Sequence, residues 1–393
     1  MKSKFLIAGV ATVAVAGAIS MAAPAAQADP TPAGTFRTYV ATGSDTTQDV
    51  WNALSNVSPQ IKDVASYDAF PQGSYIQTQS GGNSWLRPSG SGNGVKFLSA
   101  AYDTSGSYTW PTSTGSAAVP TTDVSFARSS SGPTTGANDD LTYIPFARDA
   151  VSVAYYPKTT GSPTLTGLNL TTSELNSLYS GVDVSGDQVT FSGTGTPLIN
   201  SVPVQPKIPQ QGSGTRSFFL GAIGVGTLAS YISDPVTGGL AENDGGVLTT
   251  VGDLIPFSAA QWIAQTKGTV TSTVSGLEIA SINGSAPTTG SGVSTAPGAL
   301  FGGVDANGLY NTVPTGGAGS FNRDTYNVVP SSFFGGSATA AQITLRTKLT
   351  SAGSLADPGV VSAGAKTKIT NYGFGNLSYV TDSTKYKHGI FLH

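Results

Sequence analysis

The run Gly212-Ser213-Gly214-Thr215 leads directly into Arg216, Ser217 and a pair of phenylalanines, Phe218 and Phe219. Glycine reaches backbone angles that other residues resist. Serine and threonine hydroxyls cap helix starts. Phe218, Phe219, Leu220 and Ile223 then fall on one helical side as an apolar stripe. A small-residue loop that feeds a helix presents free backbone N–H groups at the positive end of the helix dipole, which favours anions. Two earlier segments share this grammar. Gly43-Ser44-Asp45-Thr46-Thr47 precedes Val50, Trp51 and Leu54, and Gly90-Ser91-Gly92-Asn93-Gly94 precedes Val95, Leu98 and Tyr102. Any one of these stretches reads equally well as an ordinary helix cap. Three of them in one chain suggest helix N-termini that face a common ligand.

Other chemistry is poorly supplied. The only histidines are His388 and His393, both close to the C-terminal end. A Ser-His-Asp triad needs a positioned imidazole. Neither a G-x-S-x-G elbow nor a G-x-x-x-x-G-K-[ST] loop occurs. There is no cysteine, so disulfides, thiolate metal sites and a lipidated N-terminal cysteine are excluded. A hydrolase acting on phosphate esters would need a nucleophile with a metal or base, and the shortage of histidine opposes it. No cofactor and no metal is expected.

The elements that must position these loops read as α/β. Phe36 to Ala41 alternates as a strand, as do Val124 to Ala127 and Ala150 to Tyr156. Thr171 to Gly181 reads as a short helix with a threonine cap, Leu175 and Leu178 inside and a glycine stop. Asp253 to Gly268 gives a strand and then a short helix, and Ala340 onward a helix with Ile343, Leu345 and Leu349 as core candidates. Residues 267–320 are rich in Thr, Gly and Ser and read as loops with a hairpin. Strand, small-residue loop and helix in repeated succession is what an α/β fold produces when helix N-termini meet beyond the carboxyl ends of its strands.

The first 28 residues combine Lys2 and Lys4, an apolar run from Phe5 to Ala22 and the A-x-A site Ala26-Gln27-Ala28. This is the pattern of a cleaved secretory signal peptide. Its removal takes two lysines and no acid, leaving a net charge of −5. That balance gives no footprint for nucleic acid, and no later segment has the ~20 apolar residues of a membrane span. A secreted or periplasmic monomer is the expectation. Charged residues make up 10% of the chain, against the usual quarter or so. Hydrophobic residues at 38%, with aromatics spread throughout, still allow a sizeable core.

The ordered series GSDTTQ (43–48), GSGNG (90–94), SFARSSSGP (125–133), PFARDAVSVAYYP (145–157), LTTSELNSLYSG (170–181), PQQGSGTRSFF (209–219) and IPFSAAQWIA (255–264) resembles the PstS-like, phosphate-binding branch of the bacterial solute-binding proteins. The match runs over about residues 36–265, and YNVVPSSFF (326–334) extends it. The resemblance implies two α/β lobes of the type II periplasmic-binding fold, joined by a hinge, with the ligand in the cleft between them. Lobe one would comprise residues 36–148 and 256–393, with an insertion at about 267–320, and lobe two residues 149–255, after a linker at 29–35. Inorganic phosphate would be the first-choice ligand and an ABC permease the implied partner.

Carried over by motif, the resemblance implies ligand contacts from Ser44, Asp45, Thr46 and Thr47, from Ser91, Gly92, Asn93 and Gly94, and from Ser213, Gly214 and Thr215. Two departures stand out. Where the family has an aspartate that accepts the proton of hydrogen phosphate, this chain reads Ala127-Arg128-Ser129-Ser130-Ser131. The family's arginine just before the glycine loop is also missing, since Lys207 to Gln211 contains none. Arg128 and Arg216 would replace it in forked oxyanion contact, with Ser129 and Ser130 beside the anion and Asp45 as the substitute carboxylate. Asp45 as a plain turn residue and Arg128 as an ion-pair arginine are the bland readings. The alternative function is an extracellular structural or adhesive protein on the same fold, with a lost or different ligand.

Overall fold

The computed structural model describes residues 29–30, 34–57, 61–183, 188–236, 238–350 and 368–393. The signal peptide read at residues 1–28 lies outside them. The described chain is α/β. Its centre is a nine-stranded mixed sheet: β1 (Tyr39–Gly43), β2 (Val64–Ser66), β3 (Phe126–Ser129), β4 (Leu141–Tyr155), β5 (Gln205–Pro206), β6 (Asp253–Ser258), β7 (Glu278–Ile279), β8 (Asn322–Pro330) and β9 (Lys387–Gly389). Its α-helices include α1 (Gln48–Asn52), α2 (Ser91–Tyr102), α3 (Thr172–Ser180), α4 (Gly214–Ile223), α5 (Ala259–Thr266) and α6 (Ala340–Thr350).

Strand β4 organises the sheet. Its 15 residues are all buried, and such a run suits a strand covered on both faces. The N-terminal part, Leu141 to Ala150, pairs antiparallel with β8, and the order continues through β3 and β1 to β2. The C-terminal part, Val151 to Tyr155, pairs antiparallel with β6, which carries β5. One continuous strand therefore serves two halves of the sheet. β7 and β9 also add to β4, at opposite ends. The sequence places only the stretch from Ala150 in a strand; the structure extends it back to Leu141, where β8 pairs with it across a register shift between Thr325 and Tyr326.

Local sequence explains the helices. Thr171 and Glu174 form a reciprocal capping box, and Gly181 ends α3 in the left-handed region at φ 76°. Ser213 and Ser258 cap α4 and α5 through their hydroxyls. Thr47 occupies the cap position of α1 without a side-chain cap bond. In α6 only Leu345 and Leu349 are buried. Ile343 is exposed, because the apolar stripe of this helix is narrower than its composition suggests.

The sheet and α2 meet closely where two glycines face each other. A Cβ at Gly94 would overlap the Gly43 backbone, 3.1 Å from its nitrogen. Gly94→Ala is therefore expected to cost about 1–3 kcal/mol, since backbone has no rotamer with which to yield. Urea unfolding checks this, and an unchanged midpoint would show that α2 can shift freely.

Candidate functional site

Four pieces of chain converge at the carboxyl end of β1. They are the loop Ser44–Thr47, the start of α2, the start of α4, and Arg323 on β8. Ser44, Thr46, Ser91, Ser130 and Thr215 are each 0% exposed, although none is apolar. Buried hydroxyls at this density need partners. Thr46 Oγ1 lies 3.4 Å from Thr215 Oγ1. Ser91 Oγ lies 3.2 Å from Ser130 Oγ and accepts from the Ser130 amide at 3.0 Å. Gly214 lets α4 approach, for a Cβ there would overlap both Ser91 Oγ and Ser130 Oγ. The amide of Gly92 donates to the Gly212 carbonyl at 3.0 Å. Gln210 Nε2 donates to the Ser89 carbonyl and hydroxyl. The starts of α2 and α4 are thus joined directly.

Arg323 is the cation of this cluster. It is 2% exposed. Its Nε and Nη2 donate to Asp149 Oδ2 at 3.0 and 2.8 Å, and Nη2 also donates to Thr215 Oγ1 at 3.0 Å. Asp149 is held in turn by Ser258 Oγ and the Ala260 amide at the start of α5. Arg323 Nη1 has no partner among the described residues, and neither do Ser44 Oγ and Thr47 Oγ1. A buried guanidinium nitrogen without an acceptor is costly. On a guanidinium that already holds Thr215 Oγ1, it is a donor suited to an oxyanion.

Two further acids, Glu242 and Asp45, border the cluster. Glu242 Oε2 accepts from the Thr215 amide at 3.0 Å and from the Ser213 hydroxyl. A carboxylate of the chain itself thereby satisfies part of the α4 N-terminus. Asn243 Nδ2 donates to Asp45 Oδ1 and to Thr46 Oγ1, each at 3.2 Å. Burial pushes the Asp45 carboxyl well above the usual range, and the facing Glu242 adds to it. Asp45 is thereby favoured in its protonated form next to Thr46.

The remaining residues singled out by sequence fall elsewhere in the network. Arg128 is fully buried and directs its donors inward, to the carbonyls of Ser44, Ala41 and Tyr67 and to Ser66 Oγ. Ser129 Oγ donates to the Ser131 carbonyl. Asn93 Nδ2 donates to the Ser89 carbonyl. Arg216 forms a forked pair with Asp234, 2.6 Å on both arms. Sequence reading missed Arg323, Asp149, Glu242 and Asn243. The sole sequence signal for Arg323 is a charged pair, Arg323-Asp324, inside a β-type run.

Asp68 lies behind the site, 6% exposed, and accepts from Asn52 Nδ2 at 2.6 Å. Burial pushes its carboxyl up to about 8, and that of Asp49 to about 6. The folded chain holds these protons where the unfolded chain, near 3.9, has lost them. Stability should then be full below about pH 4, fall as pH rises to about 8, and level off above. Asp68→Asn is expected to flatten the fall in melting temperature between pH 5 and pH 8, removing on the order of 3 kcal/mol of pH dependence. Parallel melting curves for both proteins across that range would contradict it.

No family model matches the chain, and no curated protein matches it. Solved structures do resemble it. An ABC-type phosphate transport receptor from Vibrio cholerae is 12% identical with a TM-score of 0.45, the alignment covering 86% of this chain and 98% of that one. A DING protein is 16% identical with a TM-score of 0.48, covering 88% and 93%. A phosphate-binding protein from Stenotrophomonas maltophilia is 13% identical with a TM-score of 0.45, also covering 88% and 93%.

Proposed function

We propose that this chain is a non-catalytic solute-binding protein that captures a small oxyanion, inorganic phosphate first, at Arg323 and the surrounding hydroxyls. The observation that carries the reading is Arg323 Nη1, buried and without a partner among the described residues, on a guanidinium whose Nη2 holds Thr215 Oγ1. Anion binding would supply the missing acceptor. Thr46 Oγ1 and Thr215 Oγ1, 169 residues apart in the chain, meet at 3.4 Å, so an anion bound by both would favour the state in which they meet. The binding groups are then Ser44, Thr46, Thr47, Ser91, Ser130, Thr215 and Arg323, with Arg128 and Arg216 as framework.

Protonated Asp45 gives a route to selectivity. It shares Asn243 with Thr46, so its ionised form would repel a dianion and its neutral form would tolerate one. The ordered motifs that resemble phosphate-binding proteins, GSDTTQ to IPFSAAQWIA, support phosphate as the anion. The leader-like first 28 residues support export, and no helix among the described residues is long and apolar enough to cross a membrane. Delivery to an ABC permease is the corresponding physiological role. Thermal melting of the ligand-stripped chain with and without millimolar phosphate tests the reading. The expected result is a melting temperature that rises with phosphate; a flat titration favours the structural or adhesive alternative.

A further inference from the structure

Arg323 also lines a cavity larger than an inorganic anion requires, and the inference drawn from it rests on the oxyanion reading above. The cavity measures about 430 Å³. It falls within the ~300–1,000 Å³ typical of sites for organic molecules. A five-atom anion fills one end of such a space.

The walls divide by chemistry. Ser91, Ser129 and Arg323 give polar wall, and Ser91 and Arg323 are hydrogen-bonded to Ser130 and Thr215 of the hydroxyl cluster. Val95, Tyr143, Phe218 and Tyr326 give apolar and aromatic surface. The Arg323 guanidinium lies 5.5 Å from the centre of the Phe218 ring, so cation and aromatic face adjoin. Lys387 is a second cation in the wall, its Nζ 5.5 Å from the centre of the Tyr326 ring. The acid of the wall, Asp324, is already matched by Arg148 at 2.9 Å and by the Tyr379 hydroxyl at 2.6 Å. The wall therefore offers positive charge and aromatic faces together, with its negative charge compensated.

We propose that the preferred ligand is a phosphate monoester that carries a small aromatic or apolar group. The phosphoryl oxygens take Arg323 Nη1 and the hydroxyls. The organic group lies against Phe218, Tyr143 and Tyr326, and Lys387 faces the ester from the far side. The ligand is held intact; no bond is made or broken.

Calorimetry with inorganic phosphate, phenyl phosphate and phenol tests this, on the parent chain and on Gly221→Leu. Gly221 lies in α4 on the cavity wall, and a Cβ there meets nothing within 4 Å. Leucine also favours the helix over glycine, so the variant should fold. The expected result is phenyl phosphate binding at least tenfold more tightly than inorganic phosphate. In Gly221→Leu that advantage should vanish while inorganic phosphate binds as before. Equal affinities for the two anions in the parent chain, or an advantage that survives in Gly221→Leu, would overturn the monoester proposal and leave the oxyanion reading intact. Tight binding of phenol alone would also overturn it, since the phosphoryl group would then be irrelevant. Heat from neither phosphate would overturn both readings.

Discussion

Arg323→Met is expected to weaken anion binding at least a hundredfold, because it deletes a charged hydrogen-bond donor worth about 3 kcal/mol in a desolvated site. The change also strips Asp149 of its counter-ion, and a buried carboxylate left without a partner can destabilise the fold by about 3–5 kcal/mol. Asp149 keeps Ser258 Oγ and the Ala260 amide, which soften that loss. The double variant Arg323→Met/Asp149→Asn removes both charges together and separates binding from folding. It should melt close to the parent and still fail to bind. Arg323→Lys should keep part of the affinity, since lysine preserves the charge but not the fork that grips Asp149. Parent-like affinity in the double variant would remove Arg323 from the site.

Arg128→Met is expected to act in the opposite way. Its guanidinium supplies donors to three carbonyls and one hydroxyl from β1, β2 and the loops that follow them. Its charge also acts on the buried carboxyls of Asp68, Asp49 and Asp45. Removing it leaves those acceptors unpaired, at a cost on the order of 3–5 kcal/mol. Chemical unfolding should show a large drop in midpoint. Anion affinity, measured where the variant is still folded, should change far less than in the Arg323 variants. A stable Arg128→Met protein that has lost its affinity would return Arg128 to direct contact with the ligand.

These contrasting arginines show how far the sequence could be read. The loop before α4 was legible because its signals are local: Gly212 and Gly214 for close approach, Ser213 as cap, Phe219 and Ile223 as the buried side. The same holds for α3, whose start and stop are written in Thr171, Glu174 and Gly181. Arg128 was conspicuous by its position before a run of serines, yet nothing local says that its donors turn inward to Tyr67 and Ala41. Arg323 is the reverse case. Its partner Asp149 lies 174 residues away, so only the pairing of β8 with β4 brings them together. Glu242 sits in Ala241-Glu242-Asn243-Asp244-Gly245, which reads as a solvated turn. In the fold it is 3% exposed and bound to the α4 N-terminus. Local capping rules foresaw an anion at that helix end; they could not foresee that the chain supplies one of its own.

The most direct test of the central claim is calorimetric titration of the ligand-stripped chain with phosphate and with sulfate at pH 6 and pH 8. Capture of an oxyanion by Arg323 and the hydroxyls predicts saturable phosphate binding near one equivalent. A neutral Asp45 that tolerates a dianion predicts that sulfate binds as well, and that any loss of affinity on raising the pH falls on both anions. Absence of heat with both anions at both pH values would contradict the claim, and the Gly212–Thr215 loop would be a helix cap closed by Glu242.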